Sequence, residues 1–265
     1  MDFMQLKASI LDEFTIERFE SVMLGEERYK LLFTGLRNTF IITIGALLIG
    51  IVIGIIVAAV RTSYDKNREA MKLKGGIGYY ILAIFNGICK FYLTVARGTP
   101  VVVQLMICYF LVFVSLGDVS FAIGEKIITI DAGVIVAIIA FGINSGAYVA
   151  EIFRAGIMSV DHGQFEAGRS LGFNYFQTMR YIIIPQMFKA VLPTLCNEFI
   201  ALIKETSVAG YVGVMDLTKA GNTIAGRTYS YYIPLLIVAL VYLGLVMILT
   251  SLVGKLERRL RKSER

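Results

Sequence analysis

Residues 40–60 read FIITIGALLIGIVIGIIVAAV, more than 20 consecutive residues without a charge. At about 1.5 Å per residue, a helix of that length crosses the roughly 30 Å hydrocarbon core of a bilayer. The run is too long for a signal-peptide core and follows some 30 polar and mixed residues with no cleavage-like end, so it predicts a retained span. The remaining composition agrees. The chain is 57% hydrophobic and 17% charged, whereas a soluble domain carries about a quarter of its residues as charges. This is the pattern of an integral membrane protein.

Apolar runs predict further spans at about 130–153, 184–209 and 231–254, besides 38–60. Region 77–117 admits two readings: two spans hinged at Arg97–Pro100, or an amphipathic lead-in helix followed by one span. Basic residues gather on the cytoplasmic side of membrane proteins. Arg61, Lys66, Arg68, Lys72 and Lys74 follow the first span; Arg154, Arg169 and Arg180 surround the middle of the chain; Lys255, Arg258, Arg259, Arg261, Lys262 and Arg265 close it. Five spans with the N-terminus outside place all three groups in the cytoplasm, and six do not. Asn86, Lys90 and Arg97 also suit a helix facing protein or interface better than a lipid-bathed span. The expected layout is an extracytoplasmic segment 1–35, a membrane domain 36–254 and a basic cytoplasmic tail 255–265 that binds anionic lipid.

The net charge of +6 follows from this topology and gives no reason to invoke nucleic acid. Cys89, Cys108 and Cys196 are scattered through apolar stretches and read as small buried hydrophobes. With a single histidine, His162, no metal site or Ser-His nucleophile is expected. Gly50 and Gly54 form a GxxxG step suited to close helix packing. No phosphate-cradling G-x-x-x-x-G-K-[ST] sequence occurs, so the chain is not expected to bind or hydrolyse ATP itself.

One short segment breaks the membrane pattern. DHGQFEAGRSLG (161–172) looks soluble: Asp161 suits an N-cap and Gly172 a helix end, predicting a cytoplasmic helix of two to three turns. Such a helix is not stable alone. By spacing, a connector folded onto its own bundle explains it.

The sequence GQFEAGRSLGFNYFQTMRYIIIPQ resembles the EAA loop of permease subunits of ATP-driven importers. Four other stretches resemble that family in order: LRNTFIITIGALLIGIVIG, ARGTPVVVQL, AYVAEIFRAGIMSV and NEFIALIKETSVAGYVGVMDL. Together they cover nearly everything from Leu36 onward. The Arg-Gly-Thr-Pro and Lys-x-Thr-Ser elements are similar to the polar amino acid branch, the histidine and glutamine permeases. The resemblance implies an all-α, five-span type I importer permease in the bacterial cytoplasmic membrane. It implies a coupling loop at 161–173 that docks on a separate ATPase, present in two copies and using ATP and Mg. It further implies a second permease, identical or sister, an extracytoplasmic substrate-binding protein and a polar amino acid substrate. Phe165, Glu166 and Leu171 are then the expected contacts, Ala167 belongs to the motif, and Asp161, Gly163 and Gly172 shape the ends. Gly168 stands where the commonest pattern has Ala, a change that lowers helicity by about 1 kcal/mol and is expected to weaken docking.

Polar residues within spans are functional candidates by default. Asn144 lies roughly 20 Å along the third span at about 1.5 Å per residue, near mid-membrane, and Glu151 lies two turns on, beside Arg154. Asn197 and Glu198 fall mid-span, with Lys204 nearer the outer side; Thr99 and Gln104 flank a span start. An amino acid zwitterion needs a donor for its carboxylate and an acceptor for its ammonium, which Glu198 with Lys204 or Asn197 supplies. A permanent Glu198–Lys204 pair holding helices in register is an equal reading. An ion-gradient carrier using Glu198 as its protonation site is the alternative function, although such carriers commonly contain internal repeats and none is visible.

Overall fold

The computed structural model describes residues 15–74, 76–112, 117–123 and 126–262, so the first 14 residues of the expected N-terminal segment and the last three of the tail lie outside it. A short helix α1 (Ile16–Met23) is capped by the Thr15 hydroxyl, which accepts from Arg18 N at 3.3 Å. It leads into α2 (Tyr29–Lys74), 46 residues long. At about 1.5 Å per residue α2 extends roughly 70 Å, twice a hydrocarbon core, so part of it must project from any membrane.

α5 (Ala132–Ser159) is the central element and shares its most extensive interface with α2. Small residues make the contact. A Cβ on Gly54 would lie 2.5 Å from Val149 Cγ1, and one on Gly50 3.1 Å from the Ser145 hydroxyl. In return, Gly142 and Gly146 receive Ile49 and Ile53. In lipid, helices gain little from apolar burial and associate by close packing, which these glycines permit.

Region 77–117 is built from two helical pieces that meet at Thr99–Pro100. α3 (Ile77–Gly98) is itself long and apolar enough to cross a membrane, although largely exposed. It stops because Pro100 forces Thr99 into an extended conformation (φ −118°, ψ 145°). α4 (Val101–Ile107) and its π-helical turn (Cys108–Val112) continue in the same sense but are too short to cross alone. Tyr79 stacks on Tyr64 near the projecting end of α2, Tyr92 Oη donates to Ile143 O at 2.5 Å, and Tyr109 lies beside Gly133 at the start of α5. The two pieces form one broken traverse of the bundle.

Among the described residues, four helices meet the length and hydropathy of a span: one within 25–66, α3, α5 and one within 232–260. α8 (Ile184–Glu205), the expected fourth span, is interrupted by Lys189, Glu198, Lys204 and Glu205. The fold is nearly all-helical, with one short hairpin. Strands β1 (Val119–Ile123) and β2 (Lys126–Ile130) pair antiparallel, Val119 opposite Ile130 and Ile123 opposite Lys126. VSFAI and KIITI are rich in β-branched and aromatic residues, which favour strands.

The end of the bundle nearest this hairpin is locked by backbone contacts. Beyond α8 a 3₁₀ turn (Thr206–Val212) closes on Gly213 at φ +83°, a left-handed conformation that glycine adopts without strain. Asp216 then caps α9 (Leu217–Thr228), accepting from Thr218 N at 3.1 Å and Lys219 N at 3.0 Å. Asn38 donates to Met215 O at 2.9 Å and Thr39 Oγ1 accepts from Leu217 N at 3.2 Å, so α2 holds the loop. Ile42, Leu105, Phe141, Leu202 and Val212 bury themselves beneath. α10 (Tyr232–Lys262) returns along the outside.

Candidate functional site

At the opposite end, α6 (His162–Ser170) follows α5 after only Val160 and Asp161. Asp161 caps it, accepting from Gly163 N at 2.8 Å, and Gly172 at φ +80° turns the chain away. The following turn, α7 (Tyr175–Thr178), opens with a capping box between Asn174 and Gln177 and winds through a π-helical stretch (Met179–Ile183) into α8.

Three contacts hold α6 to the bundle. Gly168, its buried residue, rests on Thr178 and Ile182; Gln186 Nε2 donates to Gln164 Oε1 at 3.1 Å; and Lys66 Nζ sits 3.3 Å above the Phe165 ring. Gly168 faces its own bundle, where a Cβ would come within 2.8 Å of Thr178 Cγ2. Phe165 turns under α2 and is only half exposed. The outward face is Glu166, Ala167 and the 71% exposed Leu171, with Glu166 also 3.4 Å from His162 Nδ1. Phe176, 70% exposed, extends that face. Sequence reading passed over it, although an aromatic inside a soluble-looking stretch was the available signal.

The intramembrane candidates divide into three groups. Thr99, Gln104 and Asn144 are joined to one another: Gln104 Nε2 donates to Thr99 Oγ1 at 2.7 Å and Ala96 O at 2.9 Å, and Asn144 Nδ2 to Ala96 O at 2.8 Å and Gln104 Oε1 at 3.1 Å. They brace the break at Pro100, where helix carbonyls lose their own donors. Asn197 and Lys204 are exposed on α8 and line neither cleft described below. Lys204 makes no pair with Glu198. Six residues at about 100° each place the two side chains some 120° apart around one helix.

Glu151 and Glu198 form the third group. Glu198 accepts from the Ser145 hydroxyl at 2.7 Å and joins no ion pair among the described residues. Glu151 meets Arg154 Nε at 3.2 Å, Arg61 Nη1 at 3.7 Å and Arg97 Nη1 at 4.0 Å, and Arg154 also reaches Asp65 at 3.6 Å. Both carboxylates line a cleft of about 460 Å³ between α5 and α8, with Arg97, Tyr148 and Thr194. A second opening of about 610 Å³ adjoins it through Arg97, Tyr148 and Glu151 and adds Arg61, Lys90 and Thr94. Arg97 also lies 5.5 Å from the Tyr148 ring. A guanidinium and two carboxylates in one cleft complement a dipolar ion. Arg97 was read from sequence for topology alone, although it begins the Arg-Gly-Thr-Pro motif. Among the described residues no group of His, Cys, Asp or Glu is arranged to hold a metal ion.

A bundle of apolar helices with a charged open cleft on its side and a short helix presented at one end fits a transport permease. Residues 73–262 match the model of the binding-protein-dependent transport system inner membrane component, and the chain belongs to that family. A putative glutamine transport system permease protein of Rickettsia bellii is 37% identical over 215 residues, covering 81% of this chain and 86% of the relative. The arginine transport system permease protein ArtQ of Bacillus subtilis is 34% identical, covering 87% of this chain and 92% of its own. Among solved structures, an amino acid ABC transporter crystallised with histidines superposes with a TM-score of 0.71 at 35% identity, covering 89% of this chain and 98% of that one. An inward-facing methionine ABC transporter, 18% identical with a TM-score of 0.64 over 88% of this chain and 97% of its own, shares the fold. The type I importer permease fold and the integral membrane class expected from the motifs are therefore those of this protein.

Proposed function

We propose that the chain is the permease subunit of an ATP-driven importer of a polar amino acid in the bacterial cytoplasmic membrane. The observation that carries this reading is α6: a helix of nine residues held on one side and offering Glu166, Ala167 and Leu171 on the other. Such a face suits docking on a separate ATPase, with Asp161, Gly163 and Gly172 fixing its ends and Phe165 and Gly168 anchoring it. The chain crosses the membrane five times, α3 and α4 together making the second crossing, with the N-terminus outside. The membrane domain then runs from 36 to 254, between an extracytoplasmic segment 1–35 and the basic tail 255–265, and the coupling loop occupies 161–173. Two permeases, identical or sister, work with two ATPase copies and an extracytoplasmic binding protein; ATP and Mg belong to the ATPase.

The cleft supplies the pathway. Arg97 receives the substrate carboxylate, while Glu198, hydrogen-bonded but without a cation among the described residues, receives the ammonium. Closure of the ATPases draws the two α6 helices together and rocks the bundle outward, where the binding protein delivers the amino acid. Hydrolysis resets it. The names of the relatives support an amino acid substrate and offer nothing to the ion-gradient alternative.

Glu166→Lys tests the reading. The variant is expected to insert and fold normally, because Glu166 is exposed, yet to lose the ATPase on co-purification in detergent. Undiminished co-purification sinks the assignment of α6.

A further inference from the structure

The projecting part of α2 grips the corner from which α6 hangs. Asp65 and Lys66 are consecutive, so their side chains leave α2 about 100° apart. Asp65 Oδ2 lies 3.6 Å from Arg154 Nη1 on α5. Lys66 Nζ lies 3.3 Å above the ring of Phe165 on α6 and 6.0 Å from that of Tyr175 on α7. One turn of α2 thus touches both arms of the corner formed by α5, Val160–Asp161 and α6.

A two-residue connection with extended backbone is a natural hinge: Val160 lies at φ −77°, ψ 130°, and Asp161 at φ −53°, ψ 133°. Without the α2 contacts, a push on α6 would reach α5 only across that hinge and, indirectly, through the Gly168 and Gln164 contacts with the segment leading into α8. The α2 contacts close a triangle. From its Asp65 corner, charged contacts continue inward through Arg154 to Glu151 and from Glu151 to Arg97 at the cleft.

We infer that Lys66 is a positioning residue: by its cation–π contact with Phe165 it makes α6 move as one body with α2 and α5, so that motion of α6 reaches the cleft. A ring face attracts an ammonium from many angles and tolerates sliding, which suits a joint that must hold through a conformational change. The inference rests on the reading of α6 as the docking helix.

The test uses the whole complex: the chain with its ATPase in proteoliposomes, the binding protein, and whichever of radiolabelled glutamine, arginine or histidine the wild type takes up. Lys66→Gln is expected to retain the ATPase and continue hydrolysing ATP, while substrate moved per ATP falls about three- to fivefold, the range of a partly exposed cation–π contact. Lys66→Arg keeps the cation and restores the ratio. A ratio unchanged in Lys66→Gln overturns the inference, and so does loss of the ATPase, which would make Lys66 a direct contact of the partner. Failure of the wild type to hold an ATPase sinks the docking reading instead. A second measurement then still decides the geometry. With the native cysteines replaced, nitroxides at Glu69→Cys and Ser170→Cys report the distance between α2 and α6. Lys66→Gln should broaden that distribution, and an unchanged width counts against the joint.

Discussion

The two ends of the bundle solve opposite problems. At the hairpin end, side chains meet backbone groups at 2.9 to 3.2 Å: Thr39 with Leu217 N, Asn38 with Met215 O, and Asp216 with two amide groups, while Arg28 Nε at the start of α2 is buried without a partner among the described residues. At the α6 end the contacts are charged and long, between 3.2 and 4.0 Å around Glu151, and Arg61 Nε and Thr62 Oγ1 are buried without a partner among the described residues. Each such atom costs stability in a closed structure. On the function proposed above, the first end stays put and the second rearranges, since regions that move are drawn from the less stable part of a fold.

The largest expected effect breaks the comparison at the α2–α5 seam on which both ends depend. Gly54→Leu drives a side chain into Val149, whose Cγ1 leaves 2.5 Å for the first carbon, and into Ala150 N at 2.9 Å. Overpacking of this kind costs about 3 kcal/mol. Thermal unfolding in detergent should show a large loss of stability, with little folded chain recovered. A variant as stable as the wild type would mean that the seam opens freely, and the rigid half of the comparison would fall.

Acidity sharpens the contrast at the hairpin end. Burial pushes the Asp216 carboxyl up from 3.8 to about 6, against the lowering effect of the Lys219 and Thr218 amide groups that donate to it. The folded chain thus holds this proton more tightly than the unfolded one. The contribution to stability is complete below about pH 4 and is lost as pH rises through about 6, some 2–3 kcal/mol by linkage. Asp216→Asn keeps a capping oxygen and removes the proton. Relative to it, the wild type should lose stability between pH 4 and 6 and run parallel above; parallel curves throughout would show that Asp216 is less enclosed.

What sequence conveyed and what it did not follow the same division. Long apolar runs mark α2, α5 and α10 because crossing a bilayer leaves the chain few choices, and Asp161 and Gly172 mark the ends of α6 because caps act locally. The broken traverse of α3 and α4 was not legible. Pro100 announces an interruption, but whether the chain turns back or continues depends on Gln104 and Asn144 meeting across 40 residues. The cleft was half legible: polarity within spans singled out Glu151 and Glu198, while Asn197 and Lys204, equally polar, do not line it. Position along a helix is written in sequence; the facing direction of one polar residue among several is settled by the neighbours that pack around it.

Gly168 brings that point to its smallest expected effect. Helix propensity alone says Gly168→Ala stabilises α6 by about 1 kcal/mol. The contact beneath says otherwise. Its Cβ would come within 2.8 Å of Thr178 Cγ2 and 2.9 Å of Oγ1, and Thr178 is buried, β-branched and bonded to Asn174 O at 3.0 Å, so it does not swing aside. α6 must lift instead. Gly168→Ala should therefore lower amide protection across 162–170 in hydrogen exchange, a net loss of about 1 kcal/mol. Gly168→Ala with Thr178→Ala should raise protection above the wild type by letting the propensity gain appear. Should the single variant by itself raise protection, the seat of α6 is softer than its distances suggest, and helix propensity outweighs the contact beneath.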